Sequence, residues 1–117
     1  MIIKSQRAKK AVLAALADEE MIKILDSVMI HSKSINEIIR ETNIAYTTCY
    51  RKIKWLLEEG LVIIDKIVIT KEGKKFSLFY TVLTSINVKY ENKDIIIEAE
   101  ENFDIIKKTI TRFYSLE

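Results

Sequence analysis

Residues 48–62 read Thr48-Cys49-Tyr50-Arg51-Lys52-Ile53-Lys54-Trp55-Leu56-Leu57-Glu58-Glu59-Gly60-Leu61-Val62. Up to Glu59 the apolar positions recur at helical spacing. At about 100° per residue, Cys49, Ile53, Leu56 and Leu57 fall on one side of the helix. Thr47, Arg51, Lys54 and Glu58 fall in a narrow opposite arc, with Thr48 and Trp55 at its edge. Gly60 stands where a helix end needs a left-handed residue. After it the texture changes to β-branched residues suited to a strand: Val62, Ile63, Ile64, Ile67, Val68 and Ile69. A helix over 45–59 that runs straight into a strand is the feature from which the remaining elements take their place.

Upstream, Ser34 and Glu37 have the spacing of a capping box. Ile35, Ile38 and Ile39 give a short helix its buried face, ending near Thr42-Asn43, and a brief turn at Ile44-Ala45 leads into the longer helix. Short helix, tight turn and longer helix make a helix-turn-helix unit. Further upstream, residues 5–17 read as a small-residue helix, and Asp18-Glu19-Glu20 opens another turn of helix at its dipole-favoured end. Whether these form one helix or two is open at this level.

Downstream, Lys71-Glu72-Gly73-Lys74 is a turn signal, so residues 62–82 read as a hairpin, with the wing loop at 70–76. From Phe76 an apolar-polar alternation runs through Leu78, Tyr80 and Val82 and continues through Ile86, Val88 and Tyr90. Glu91-Asn92-Lys93-Asp94 breaks it, and Ile95-Ile96-Ile97 begins a returning strand, a second hairpin. Asn102 to Leu116 reverts to helical period, with Phe103, Ile106, Ile110 and Phe113 on one stripe that must be buried, either on its own domain or against a second copy. The expected fold is therefore α+β: a winged helix-turn-helix with a C-terminal β-hairpin extension and a terminal amphipathic helix. Its expected parts are a basic arm and helix over 1–17, the winged unit over 18–82, and the extension with a dimerisation helix over 83–117.

Composition narrows the function. The chain of 117 residues is 49% hydrophobic and 31% charged, as in a globular domain. The absence of a long apolar run or a leader-like segment gives a cytoplasmic expectation without membrane contact. The net charge of +2 is unevenly spread: residues 1–17 hold four basic groups and no acidic one, and residues 61–80 hold four basic against two acidic, while residues 81–117 are net acidic. A phosphate-binding surface assembled from separate segments has this form, and so does an ordinary mixed surface. One His and one Cys cannot make a zinc site within the chain. No glycine-rich phosphate loop or nucleophile–base set is present, so neither catalysis nor a cofactor nor a metal is expected.

The 48–62 stretch closely resembles the recognition helix and helix-to-wing junction of winged-helix transcriptional regulators. Their pattern is Thr/Ser, apolar, Tyr/Ser, Arg/Lys, an apolar pair three residues apart, then Glu-x-Gly-Leu-Val/Ile. Ala15-Leu16-Ala17-Asp18 and Ile22-x-Ile24-Leu25 are similar to the opening helix of the ArsR-like subgroup, and Lys71–Phe79 resembles the wing of archaeal members. The resemblance covers residues 14–82. It implies sequence-specific binding of double-stranded DNA, with the 45–59 helix in the major groove and the wing on the adjacent backbone or minor groove. Thr47, Thr48 and Arg51 are then expected near base edges, Tyr50, Lys52 and Lys54 near the backbone, and Lys71, Lys74 and Lys75 on the wing. The N-terminal cations Lys4, Arg7, Lys9 and Lys10 are either a further phosphate arm or a basic face of a dimer helix. A homodimer through Phe103, Ile106, Ile110 and Phe113 would present two recognition helices about one DNA turn apart, ~34 Å. Metal-sensing members of the group use Cys clusters, from which this chain departs. The same fold also serves as a protein–protein interaction module in transcription or assembly complexes, which is the alternative reading. A lysine-tipped turn is also a common device for keeping sheet edges soluble.

Overall fold

Asp18 divides the first helical stretch in two. In the structure, a computed structural model that describes residues 1–102, helix α1 spans Gln6–Leu16 and α2 spans Glu19–Ser27. The Asp18 carboxylate accepts from the backbone N–H groups of Glu20 and Met21, both at 3.0 Å, and so starts α2 afresh. Helix α3, Ile35–Thr42, carries the full capping box of Ser34 and Glu37, and Asn43 ends it in the left-handed conformation at φ 61°. Helix α4, Tyr46–Glu58, follows after three residues. Its end is a Schellman motif: Gly60 at φ 77° lets its N–H reach Leu57 O at 3.1 Å while the N–H of Leu61 reaches Leu56 O at 2.9 Å.

A short strand, β1 (Ile2–Ile3), precedes the helices, and four strands follow them: β2 (Val62–Ile69), β3 (Lys75–Thr81), β4 (Leu83–Glu91) and β5 (Asp94–Glu101). Strands β2 and β3 form an antiparallel hairpin with a bulge between Ile64 and Lys66. Lys33, just before α3, bridges Phe79 of β3 through paired backbone bonds of 3.0 and 2.8 Å, so the wing is tied to the helical layer at its base. Helices α3 and α4 with this hairpin make a winged helix-turn-helix, and β4–β5 is the expected hairpin extension. Its turn has Asn92 and Lys93 both at positive φ, which a two-residue hairpin loop of matching twist requires.

Two expectations change. The alternation from Phe76 to Tyr90 is not one strand: it breaks at Val82, and β3 and β4 lie in different sheets. The N–H of Val82 turns to Leu61 O at 3.0 Å and its carbonyl accepts from Asn102 N–H at 2.7 Å, while the buried Asn102 amide donates to Thr81 O at 3.1 Å. The chain therefore crosses between sheets, and its buried side switches there: Tyr80, Thr81 and Leu83 are all buried, and a bulge between Leu83 and Ser85 resets the register. The N-terminus is also more than an arm. Ile2 and Ile3 pair with Glu98 and Ile97 in a sheet of order β1-β5-β4, joining the first and last of the expected segments.

The core runs through both layers. Val12, Ile24, Val28, Ile38, Cys49, Leu56, Val62 and Ile97 are all essentially inaccessible. Each buried aliphatic contributes about 1.5–3 kcal/mol. This packing holds α4 on α2, α3 and β2 and leaves its other side to solvent. The terminal stripe of Phe103, Ile106, Ile110 and Phe113 lies outside the described residues.

Candidate nucleic-acid interface

The exposed side of α4 is where helical geometry places it. Thr47, Arg51, Lys54 and Glu58 are exposed and Thr48 is half-buried at the edge, while Cys49, Ile53 and Leu56 are buried. Burial raises the Cys49 thiol pKa, with the nearby Glu20 charge acting in the same direction, so it stays protonated as a small core residue. Among the described residues, no carboxylate lies within ion-pair distance of Arg51 or Lys54.

Lys52 does not belong with them. It is 8% exposed, and its ammonium binds the Asp18 carboxylate and, at 3.3 Å, Glu20. The hydrogen bond that Lys52 donates to Asp18 raises the Lys52 pKa, and the same bond, with the Met21 N–H, lowers that of Asp18. The expectation that Lys52 reaches a phosphate is therefore corrected. At 100° from Arg51 it falls on the α2 side, where the N-terminal carboxylates of that helix take it up. The sequence signal was present in Asp18-Glu19-Glu20, but only the crossing of α2 over α4 connects the two.

Tyr50 is 55% exposed and stacks on Tyr46, with ring centroids 6.3 Å apart and planes 18° from parallel. Tyr46, one turn earlier and 58% exposed, is a surface aromatic that the sequence reading passed over; its i, i+4 spacing to Tyr50 was the available sign. On the wing, the tip closes through Thr70 N–H to Lys74 O at 2.8 Å and Gly73 N–H to Thr70 O at 3.0 Å, with Gly73 at φ 82°. Lys71, Lys74 and Lys75 around it are exposed, and among the described residues none has a carboxylate partner.

The N-terminal cations divide. Arg7 makes a bidentate pair with Glu59 at 3.2 and 3.3 Å, and Lys9 donates to Ile95 O at 2.9 Å. Lys4 and Lys10 are exposed. Arg7 and Lys9 thus tie α1 to α4 and to the second sheet. Trp55 is half-buried beside Ala11 and Ala14 of α1 and is a packing residue. Among the described residues, no cluster of three or more His, Cys, Asp or Glu is arranged to hold a metal ion, and no helix is long and apolar enough to cross a membrane.

No family model matches the chain, and no curated protein matches it. Among solved structures it is similar to HlyU from Vibrio cholerae, at 15% identity over 92% of each chain. It is also similar to NolR from Sinorhizobium fredii, at 11% identity over 99% of this chain and 96% of that one. An ArsR family transcriptional regulator is 13% identical over 93% and 94%. The TM-score is 0.44 in each case. At that distance the functional reading rests on the geometry of α4 and the wing.

Proposed function

We propose that this protein is a transcriptional regulator that binds double-stranded DNA in a sequence-specific way, with α4 in the major groove and the wing tip on the neighbouring backbone or minor groove. The observation that carries the reading is the outward arc of Thr47, Arg51 and Lys54, which among the described residues has no carboxylate partner, flanked by wing lysines that likewise have none among them. Small hydroxyls near the start of the helix fit against base edges, and Arg51 is placed one turn later for a bidentate contact to guanine. Lys54, Lys71, Lys74 and Lys75 supply phosphate neutralisation. Tyr50 and Thr48 border the same face. The chain acts in the cytoplasm as a homodimer, its terminal stripe Phe103, Ile106, Ile110 and Phe113 forming the contact that sets two α4 helices about one turn of duplex apart.

Footprinting on the DNA upstream of the protein's own gene tests this reading. A protected site whose affinity falls steeply with salt is expected. Arg51→Ala relaxes the preference at one base position in each half-site, whereas Lys74→Ala weakens all sequences alike. Duplex binding that neither substitution changes would overturn the reading and favour a protein-interaction module. Sedimentation of the free protein as a monomer at micromolar concentration would remove the dimer.

A further inference from the structure

A cleft of about 410 Å³ separates α4 from the wing, and its walls differ from the polar arc beside it. Three aromatic side chains wall it, Tyr46 and Tyr50 from the helix and Phe79 from β3, while Phe76 borders it on the strand with its side chain on the Val68 face of the hairpin. Two of them remain open to solvent, Tyr46 at 58% and Tyr50 at 55%. Two exposed lysines, Lys54 on the helix and Lys75 on the strand, also line it, and among the described residues it has no carboxylate. The apolar wall extends toward the wing tip. Ile64 pairs with Phe79, Ile67 with Ser77 and Ile69 with Lys75, so the three isoleucines share the cleft-facing side of the hairpin, and they are 45%, 59% and 62% exposed. The strip leads to Lys71 and Lys74.

An open apolar cleft walled by aromatic rings and bordered only by cations is complementary to a polyanion that carries flat apolar units. Stacked duplex does not offer such units, because its base faces are covered. Single strands do, and the known physics of their binding is aromatic stacking beside a positively charged track. We propose that the cleft between α4 and the wing receives unpaired bases, so that the protein binds single-stranded nucleic acid at a site adjoining its duplex-binding face. Tyr46 and Tyr50 supply the stacking surfaces, and Lys54 and Lys75 hold the flanking phosphates. Lys54 and Lys75 are shared with the duplex reading, but the inference does not depend on it, since Arg51 takes no part in the cleft.

Fluorescence anisotropy on the full chain tests this with a labelled oligothymidylate, an oligouridylate, an abasic deoxyribose-phosphate strand of equal length and a blunt duplex. The base-bearing strands are expected to bind more tightly than the abasic one, and the thymidylate and uridylate arms tell DNA from RNA. Tyr46→Ala and Tyr50→Ala should each weaken single-strand binding by roughly 5- to 150-fold, the range for loss of one base–aromatic stack. Tyr46→Phe should retain it, and circular dichroism should show each variant folded. Should Tyr46→Ala fail to fold, photocrosslinking of bromouracil-substituted strand to the wild-type chain is expected at Tyr46 or Tyr50. Equal affinity for the abasic strand, crosslinks confined elsewhere, or a folded Tyr46→Ala that binds like wild type would each overturn the proposal. So would self-association that Tyr50→Ala abolishes, since the cleft would then belong to a second copy. Arg51→Ala is expected to alter duplex preference and leave the oligothymidylate affinity unchanged, so either reading can fail without the other.

Discussion

Arg51 and Lys52 are neighbours in the chain, both cationic, on one helix, and they meet opposite surroundings. Lys52 turns into the seam with α2 and is held by Asp18 and Glu20. Arg51 turns outward and has no acidic partner among the described residues. One step of about 100° separates a structural cation from a candidate binding one. The difference teaches that a basic run on a helix is not a binding surface as a whole. Charge that is neutralised inside the protein is no longer available to a phosphate, and the side facing another helix's N-terminal carboxylates is lost first.

Substitutions on the two sides sharpen that contrast. The largest expected effect is in the seam's apolar layer: Ile24→Ala, at a site 1% exposed, should cost about 2–5 kcal/mol in chemical denaturation with no change in the DNA site recognised by the folded fraction. Next, Lys52→Ala should lower stability by about 1–3 kcal/mol, because it leaves Asp18 without its principal partner. Arg51→Ala should change stability by less than about 0.5 kcal/mol while weakening the preferred duplex by about 1–3 kcal/mol. If Lys52→Ala proved neutral for folding and harmful to DNA binding, the division of α4 into two sides would be wrong.

Acid titration probes the seam from another direction. The Asp18 pKa is lowered in the folded protein, chiefly by the hydrogen bond from Lys52, and the Glu41 pKa is lowered chiefly by Lys33. A carboxylate with a depressed folded pKa binds more protons when unfolded. Its contribution is present above the ordinary carboxylate range and is lost as pH falls through the folded value. Thermal unfolding should therefore shift to lower temperature as the solution is acidified below that range, and Asp18→Asn should flatten the decline. The raised Lys52 pKa acts at the other end: its contribution is present below the usual lysine range and is lost as pH rises through the folded value. A variant whose acid profile overlays that of wild type would show that the Asp18–Lys52 pair contributes nothing to stability. The smallest effect is expected on the wing, where Lys74→Ala should leave the unfolding temperature unchanged and reduce the salt slope of duplex binding by about one.

Much of the helical layer was legible because its signals are local. Ser34 and Glu37 specify a capping box three residues apart, Asn43 and Gly60 stop their helices at positive φ, and Asn92-Lys93 closes the second hairpin. The strand break at Val82 was not legible, since the apolar-polar alternation of the sequence resumes on its far side at Ile86, Val88 and Tyr90. It depends on Asn102, a buried polar residue twenty positions away that ties off the backbone where the chain changes sheets. The Tyr46–Tyr50 stack had a spacing cue, but its exposure depends on where the wing packs.

From its own order of residues, then, the chain determined where helices begin and end, which face of each is apolar, and that a long helix is followed directly by a hairpin. Those properties follow from hydrogen bonds and periodicities spanning a few residues. Only the folded arrangement decided which of the cations on α4 is neutralised, that β1 closes onto β5, and that aromatic rings from α4 and β3 border one cleft. These depend on groups far apart in sequence, and no local periodicity encodes which distant partner a side chain meets.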